Sequence, residues 1–320
     1  MNGIFIIPTG IGCKIGGHAG DATPYAKLVA SVCDKLIIHP NVVNASDINE
    51  MTTNMLYVEG SMIDRFLSGD ITLREVKSNR ILLVGNPPLS SVTINAANAA
   101  RHTIGCEIEV LELKVPLRMI AKKIENGVAS GDVLGWKDLV AQVWGMQFDA
   151  LAIHTPIECD RDIALDYYRN GGVNPWGGVE SLASRLIATE INKPVAHAPL
   201  ESVTPEDEEL YYIFEEVVVP QIAAEAISNS YLHCVLKGLH KAPRIGCGLS
   251  VRDVDFLISP MNCFGPAHRE CYNFDIPIIQ VEENTTCLNK SIDKAITVRN
   301  YLEAVGCIVA MKEGIKIREE

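Results

Sequence analysis

The chain has 320 residues, 48% of them hydrophobic and 21% charged, with 40 acidic against 28 basic side chains and a formal net charge of -12. That length permits a large buried core, as one continuous domain or two lobes, and the composition excludes a disordered chain. With no run of lysine and arginine longer than a pair, the acidic balance excludes nucleic acid and anionic membrane as expected partners.

The opening stretch MNGIFIIPTG lacks the basic start and long apolar run of a secretion signal. No apolar run approaches the roughly 20 residues needed to span a bilayer. The expectation is therefore a cytoplasmic protein with reduced thiols. Its ten cysteines are scattered singly, without a Cys-x-x-Cys pair, which argues against a structural zinc or thioredoxin-type motif.

Residues 4–7 read as a first strand, followed by a glycine loop and a helix over 24–33. A strand at 36–38, a polar loop and a helix over 61–67 come next. Then follow a strand at 80–84, a helix over 92–103 and a strand at 107–113. A helix over 136–144 leads to a strand at 150–153, and a helix over 179–191 to a strand at 194–196. Residues 205–217 and 220–228 read as helices and 233–236 as a strand. Strands at 254–258, 277–281 and 307–310 complete the series, with helices over 267–272 and 298–305 between them.

Apolar strands alternating with helical patterns predict an α/β fold of mostly parallel sheets with helices on both faces. About ten strands suit two lobes better than one sheet. The expected division is an N-terminal lobe over 1–125 and a C-terminal lobe over 126–320, with Gly127, Gly131 and Gly135 interrupting the pattern at the seam.

In such folds, ligands bind beyond the carboxyl ends of the strands. After the first strand the chain runs PTGIGCKIGGHAGD, where glycines let backbone N–H groups approach a ligand. Thr9, Gly10, Gly12, Lys14, Gly16, Gly17 and Asp21 are the candidate ligand contacts there. Thr23-Pro24 opens the helix behind this loop, a setting that favours phosphate or carboxylate. No Gly-Lys-Ser/Thr closes a Walker loop, and the glycine after Gly10-x-Gly12 stands at 16 rather than 15, which spoils a dinucleotide fingerprint. Asn44, Asn262 and Asn284 at other strand ends join the set, as do Gly171 and Gly172 of a second glycine loop in which Trp176 would form an apolar lid.

His39, His154 and His197 end three strands, and an imidazole titrating near neutrality suits general acid–base work. Cys263 lies between a strand and a helix, where a helix N-terminus lowers a thiol's pKa, so it is the expected nucleophile or proton carrier. Glu283 is the carboxylate of this catalytic set. The same three histidines with Glu283 would instead form a divalent-metal site, the runner-up to a cofactor-free protein, although no His-x-His or His-Glu-x-x-His spacing supports it.

The segments PTGIGCKIGGHAGDA (8–22), IIHPNVVNAS (37–46), LYVEGSMIDRF (56–66), PVAHAP (194–199), IIQVEENTT (278–286) and NYLEAVGCIVAMKEGI (300–315) resemble, in the same order, an uncharacterised prokaryotic family, the domain of unknown function 3326. The resemblance implies no reaction and carries over no catalytic residue. The residues alone lead to an enzyme acting on a small anionic metabolite, carboxylate or phosphate, of isomerase, lyase or hydrolase type. The alternatives are a metal-dependent hydrolase or lyase and a non-catalytic nucleotide or metabolite sensor. A homodimer is the expected assembly.

Overall fold

The computed structural model describes residues 1–16, 21–43, 45–200 and 231–317, together with 218, 220 and 223. Two parallel sheets carry the fold. The first joins β1 (Asn2–Phe5), β2 (Lys35–Ile38), β3 (Met55–Tyr57), β13 (Phe256–Pro260), β14 (Ile278–Val281) and β15 (Ile296–Val298) in the order β15-β14-β13-β1-β2-β3. The second joins β5 (Arg80–Gly85), β6 (Glu107–Glu112), β9 (Ala150–Thr155) and β11 (Val195–Pro199) in the order β11-β9-β5-β6. All pairings within both sheets are parallel.

Two helix pairs cover the first sheet: α1 (Thr23–Ala30) beside α10 (Tyr301–Lys312), and α3 (Gly60–Leu67) beside α9 (Pro266–Asn273). In the second sheet, successive side chains face opposite sides. Leu83, Ala150 and Ala152 pack with α4 (Ser91–Thr103) and α8 (Tyr231–Lys241). Leu82, Leu151 and Ile153 pack with α5 (Trp136–Val143) and α7 (Gly177–Ile191). Burial on both faces is why these strands are continuously apolar in sequence.

The first sheet takes its strands from both ends of the chain and the second from the middle. Pairing crosses residue 125 in both, since β1 pairs with β13 and β5 with β9. The expected lobes 1–125 and 126–320 are therefore not the two sheets. Short antiparallel strands β4 (Leu73–Arg74) and β12 (Arg244–Ile245) tie together the two points where the chain passes between sheets. The halves meet where α8 packs on β3 and where α3 packs on α7, with Arg65 Nη2 donating to Asn192 Oδ1 at 2.7 Å and Arg185 paired with Asp64.

The expected seam is a hairpin. β7 (Arg118–Glu125) and β8 (Val128–Leu134) pair antiparallel, and β10 (Ile157–Glu158) adds to β7. Asn126 at φ 52° and Gly127 at φ 73° make the turn, as a two-residue Asn-Gly connection requires. Residues 233–236, expected as a strand, belong to α8, where Leu232, Val235, Leu236 and Leu239 recur at helical spacing and are buried. Residues 307–310, also expected as a strand, are in α10. Helix α6 (Arg161–Asn170) and strands β3 and β15 were not anticipated. The helices expected over 205–217 and 220–228 fall outside the described residues, apart from isolated positions.

Candidate functional site

The two glycine loops meet. Gly10 accepts a hydrogen bond from Ala129 of β8 at 2.8 Å, and a β-carbon on Gly10 would lie 3.2 Å from Gly178 at the start of α7. A β-carbon on Gly178 would come within 2.2 Å of the Ala129 carbonyl oxygen, so only glycine lets α7 begin this close to β8. Gly12 lies against Gly172, its missing β-carbon 3.4 Å from that residue's carbonyl.

Three of the first loop's donors are spent on the protein itself. Lys14 donates its N–H to Thr285 at 2.9 Å, Ile15 to Asn284 Oδ1 at 2.9 Å, and Gly16 to the Asp21 carboxylate. Buried Asn284 also donates to the Ile15 carbonyl at 3.0 Å and to the Tyr301 hydroxyl at 2.8 Å. The N–H groups of Lys14, Ile15 and Gly16 are thus held by Thr285, Asn284 and Asp21, and the Lys14 side chain is exposed. Gly12 accepts from Cys287, Asn262 accepts from Lys290, and Gly171 ends α6 with its N–H on Tyr167. Gly17 and Asn44 lie outside the described residues. Trp176 packs on Tyr167 and Tyr168 as part of an aromatic cluster.

α7 presents a different surface. Asn174 Oδ1 accepts from Trp176 at 2.9 Å and from Gly177 at 3.1 Å, and Glu180 donates its own N–H to Trp176. Among the described residues the N–H groups of Gly178 and Val179 have no hydrogen-bond partner. In the same first turn, Glu180 Oε1 accepts from His197 Nδ1 at 2.9 Å. The other imidazole nitrogen, Nε2, meets the Thr155 hydroxyl at 3.1 Å and its carbonyl at 3.0 Å. The His197 side chain is 1% exposed and that of Glu180 23%, so the carboxylate is the accessible member of the pair.

His39 joins this region through Thr9, whose hydroxyl is 3.4 Å from Nε2 and whose methyl packs against Gly177. Its Nδ1 accepts from the Asn41 N–H at 3.2 Å, so Nε2 carries the proton in the neutral ring. Burial holds its pKa down to about 4. Nearby Glu59 caps α3 through Ser61 and is pushed up by burial, and the Tyr57 ring lies against Gly238 of α8.

His154 does not join the group. It pairs with Ala198 whereas His197 pairs with Ile153, so the two imidazoles stand on opposite faces of the second sheet. His154 Nδ1 is bonded to Thr93 of α4 at 2.8 Å, and burial, then the neighbouring His197, holds its pKa near 4. Glu283 accepts from the Tyr301 N–H at 2.8 Å and so caps α10. The proposed metal set is therefore divided among three places, and no group of three or more metal-ligating side chains occurs among the described residues.

Cys263 requires a correction. Its thiol is 3% exposed, donates to the Pro260 carbonyl at 3.1 Å, and is pushed up to about 12 by burial. Desolvation outweighs the helix N-terminus expected to activate it. His268, not anticipated from the sequence, lies 4.0 Å from that sulfur and 3.0 Å from Ser259 Oγ. Because Nδ1 accepts from Gly265, Nε2 donates to Ser259, the wrong tautomer for a base.

Glu180, Thr155 and Thr93 also went unanticipated. Glu180 had a readable signal, a carboxylate two residues after the Gly177-Gly178 pair that opens a helix.

The fold and this strand-end cluster define an α/β protein of two interleaved parallel sheets. The chain belongs to the family described as "Protein of unknown function (DUF3326)", whose model matches residues 2–319. It is similar to a protein of Synechococcus sp. named an uncharacterized lipoprotein, 35% identical over 337 positions that cover 98% of this chain and 92% of that one. That name overturns the cytoplasmic location expected from the sequence, and removes the ground for expecting reduced thiols. No described helix is long and apolar enough to cross a membrane.

Proposed function

We propose that this protein is an enzyme acting on a small anionic metabolite, a carboxylate or phosphate, by acid–base chemistry at Glu180. The carrying observation is the Glu180–His197 pair in the first turn of α7, beside unpartnered N–H groups at that helix start. A helix N-terminus stabilises an anion, and a partly exposed carboxylate next to it can take or return a proton. His197 positions that carboxylate from behind, and His39, neutral and donating, polarises the Thr9 side. Proton-transfer chemistry of this kind fits an isomerase, lyase or hydrolase better than a thiol-dependent enzyme.

The test is a panel of carboxylates and phosphates screened for thermal stabilisation, with turnover of the hits followed by NMR. The expected result is a ligand that raises Tm, and a Glu180→Gln variant that still binds it while turnover falls on the order of 10²–10⁴-fold. No stabilisation by either class, or unchanged turnover in Glu180→Gln, overturns the proposal. Stabilisation without turnover by the unsubstituted protein would favour the sensor reading.

A further inference from the structure

Tyr57 ends β3, the edge strand of the first sheet, where α8 of the other half packs on it. The residue is 2% exposed, and its ring lies over Gly238, where a β-carbon would stand 2.8 Å from Cε1 and 2.9 Å from Cζ. Glycine is among the least favourable residues inside a helix, so its place in α8 makes room for this ring. Among the described residues the Tyr57 hydroxyl has no hydrogen-bond partner. A buried tyrosine normally bonds its hydroxyl, and phenylalanine would fill the same space without stranding a donor. The hydroxyl stands in the fields of Glu59, at the same strand end, and of Glu180, in the first turn of α7. Burial first, then Cys234 and these two carboxyl groups, push the phenol up, so it keeps its proton and is a neutral donor.

We infer that Tyr57 is a further catalytic residue, whose hydroxyl donates a hydrogen bond to a substrate oxygen that becomes negative as Glu180 removes a proton. The substrate is then a small carboxylate with a carbonyl beside the carbon that loses that proton. This inference rests on the reading of Glu180 as the proton-transfer group. A neutral donor stabilises charge that appears during a reaction, and loss of a proton from carbon puts charge on oxygen where a carbonyl adjoins that carbon. In the step, the C–H bond breaks and its proton goes to a Glu180 oxygen. The electron pair forms a C=C bond while the carbonyl π pair moves onto oxygen. The resulting enolate is held by the Tyr57 O–H, and the unpartnered N–H groups of Gly178 and Val179 take the carboxylate. Glu180 then returns the proton to carbon, so the step needs no oxidant, reductant or co-reactant.

The experiment follows proton–deuterium exchange at carbon by NMR, with the full chain in deuterated water and pyruvate, α-ketobutyrate and α-ketoglutarate as probes. The expected result is exchange beside the carbonyl of at least one probe. In Tyr57→Phe that exchange should fall on the order of 10²–10³-fold while the probe still raises Tm. Ligand-free Tyr57→Phe should be at least as stable as the unsubstituted protein, because the hydroxyl removed bonds nothing. A lower Tm would mark the hydroxyl as structural and overturn the inference. So would unchanged exchange in Tyr57→Phe, or no exchange with any probe, whatever the carboxylate and phosphate panel gives for Glu180. Exchange lost in Glu180→Gln but unchanged in Tyr57→Phe would leave the Glu180 reading standing alone, and exchange unchanged in both would remove both.

Discussion

Mild acid should unfold this protein through three imidazoles. His39, His154 and His268 are buried, and burial holds each near pKa 4 against an ordinary 6.5. Once unfolded, the three take up protons below about pH 6.5, whereas the folded protein refuses them down to about pH 4. Stability is therefore full above the ordinary value and is lost as pH falls through that window. The gap from 6.5 to about 4 corresponds to about 3 kcal/mol for each imidazole over the whole interval. Between pH 6 and 5 each contributes about 1 kcal/mol, and the three together about 3 kcal/mol. Glu59, pushed up by burial, works in the opposite direction as acid increases, so a variant must separate the terms. His268→Gln serves, because His268 is remote from the proposed ligand site and makes only local bonds to Ser259 and Gly265. Urea unfolding across pH 5 to 7 measures the slope directly. The variant should lose about 1 kcal/mol of the stability change between pH 6 and 5, whatever its stability at pH 7. A flat stability profile between pH 6.5 and 5, or an unchanged slope in His268→Gln, would show that these buried imidazoles do not set the acid sensitivity.

Native-state alkylation followed by mass spectrometry should label exposed Cys247 and Cys287 first and spare Cys263 and Cys271, whose thiols burial pushes up to about 12. Rapid labelling of Cys263 would contradict the account of an inert thiol. Gly178→Ala places a methyl 2.2 Å from the Ala129 carbonyl oxygen and should cost about 1–3 kcal/mol by urea midpoint. An unchanged midpoint would mean that α7 is free to back away from β8. Asn284→Ala removes the bonds to both backbone groups of Ile15 and to Tyr301, and should cost about 3 kcal/mol. Hydrogen exchange at Ile15 should accelerate in that variant, and protection equal to the unsubstituted chain would show that the loop is held by something else.

The fold was legible where one physical signal dominated. Apolar strands such as Ile81–Val84 and Ala150–Ile153 stand out because both faces are covered, and α3 and α4 because caps and apolar stripes agree. Two signals were misjudged. Asn126-Gly127 is a hairpin turn, yet glycines nearby suggested a break between lobes. Leu232 to Leu239 has helical period, yet its apolar run suggested a strand. For the site, strand ends located His39 and His197 but not which side of the sheet each histidine faces, which depends on register and separates His154 from His197. Nor does sequence reveal desolvation, which decides the state of Cys263. The contact between Gly10 and Gly178 joins segments with no sequence relation and becomes visible only in three dimensions.

The way the first sheet draws on both ends of the chain bears on synthesis. As the chain leaves the ribosome, β1, β2 and β3 emerge first, but β1 cannot gain its other neighbour until residue 260 has been made. The second sheet, complete by Pro199, has its strands in hand long before that. The order of folding is then reversed with respect to the order of the chain, the interior segment closing early and the opening strands waiting with one side of β1 uncovered. A stalled or truncated product that ends before Phe256 would carry that open edge permanently, and an open parallel edge is a template for aggregation.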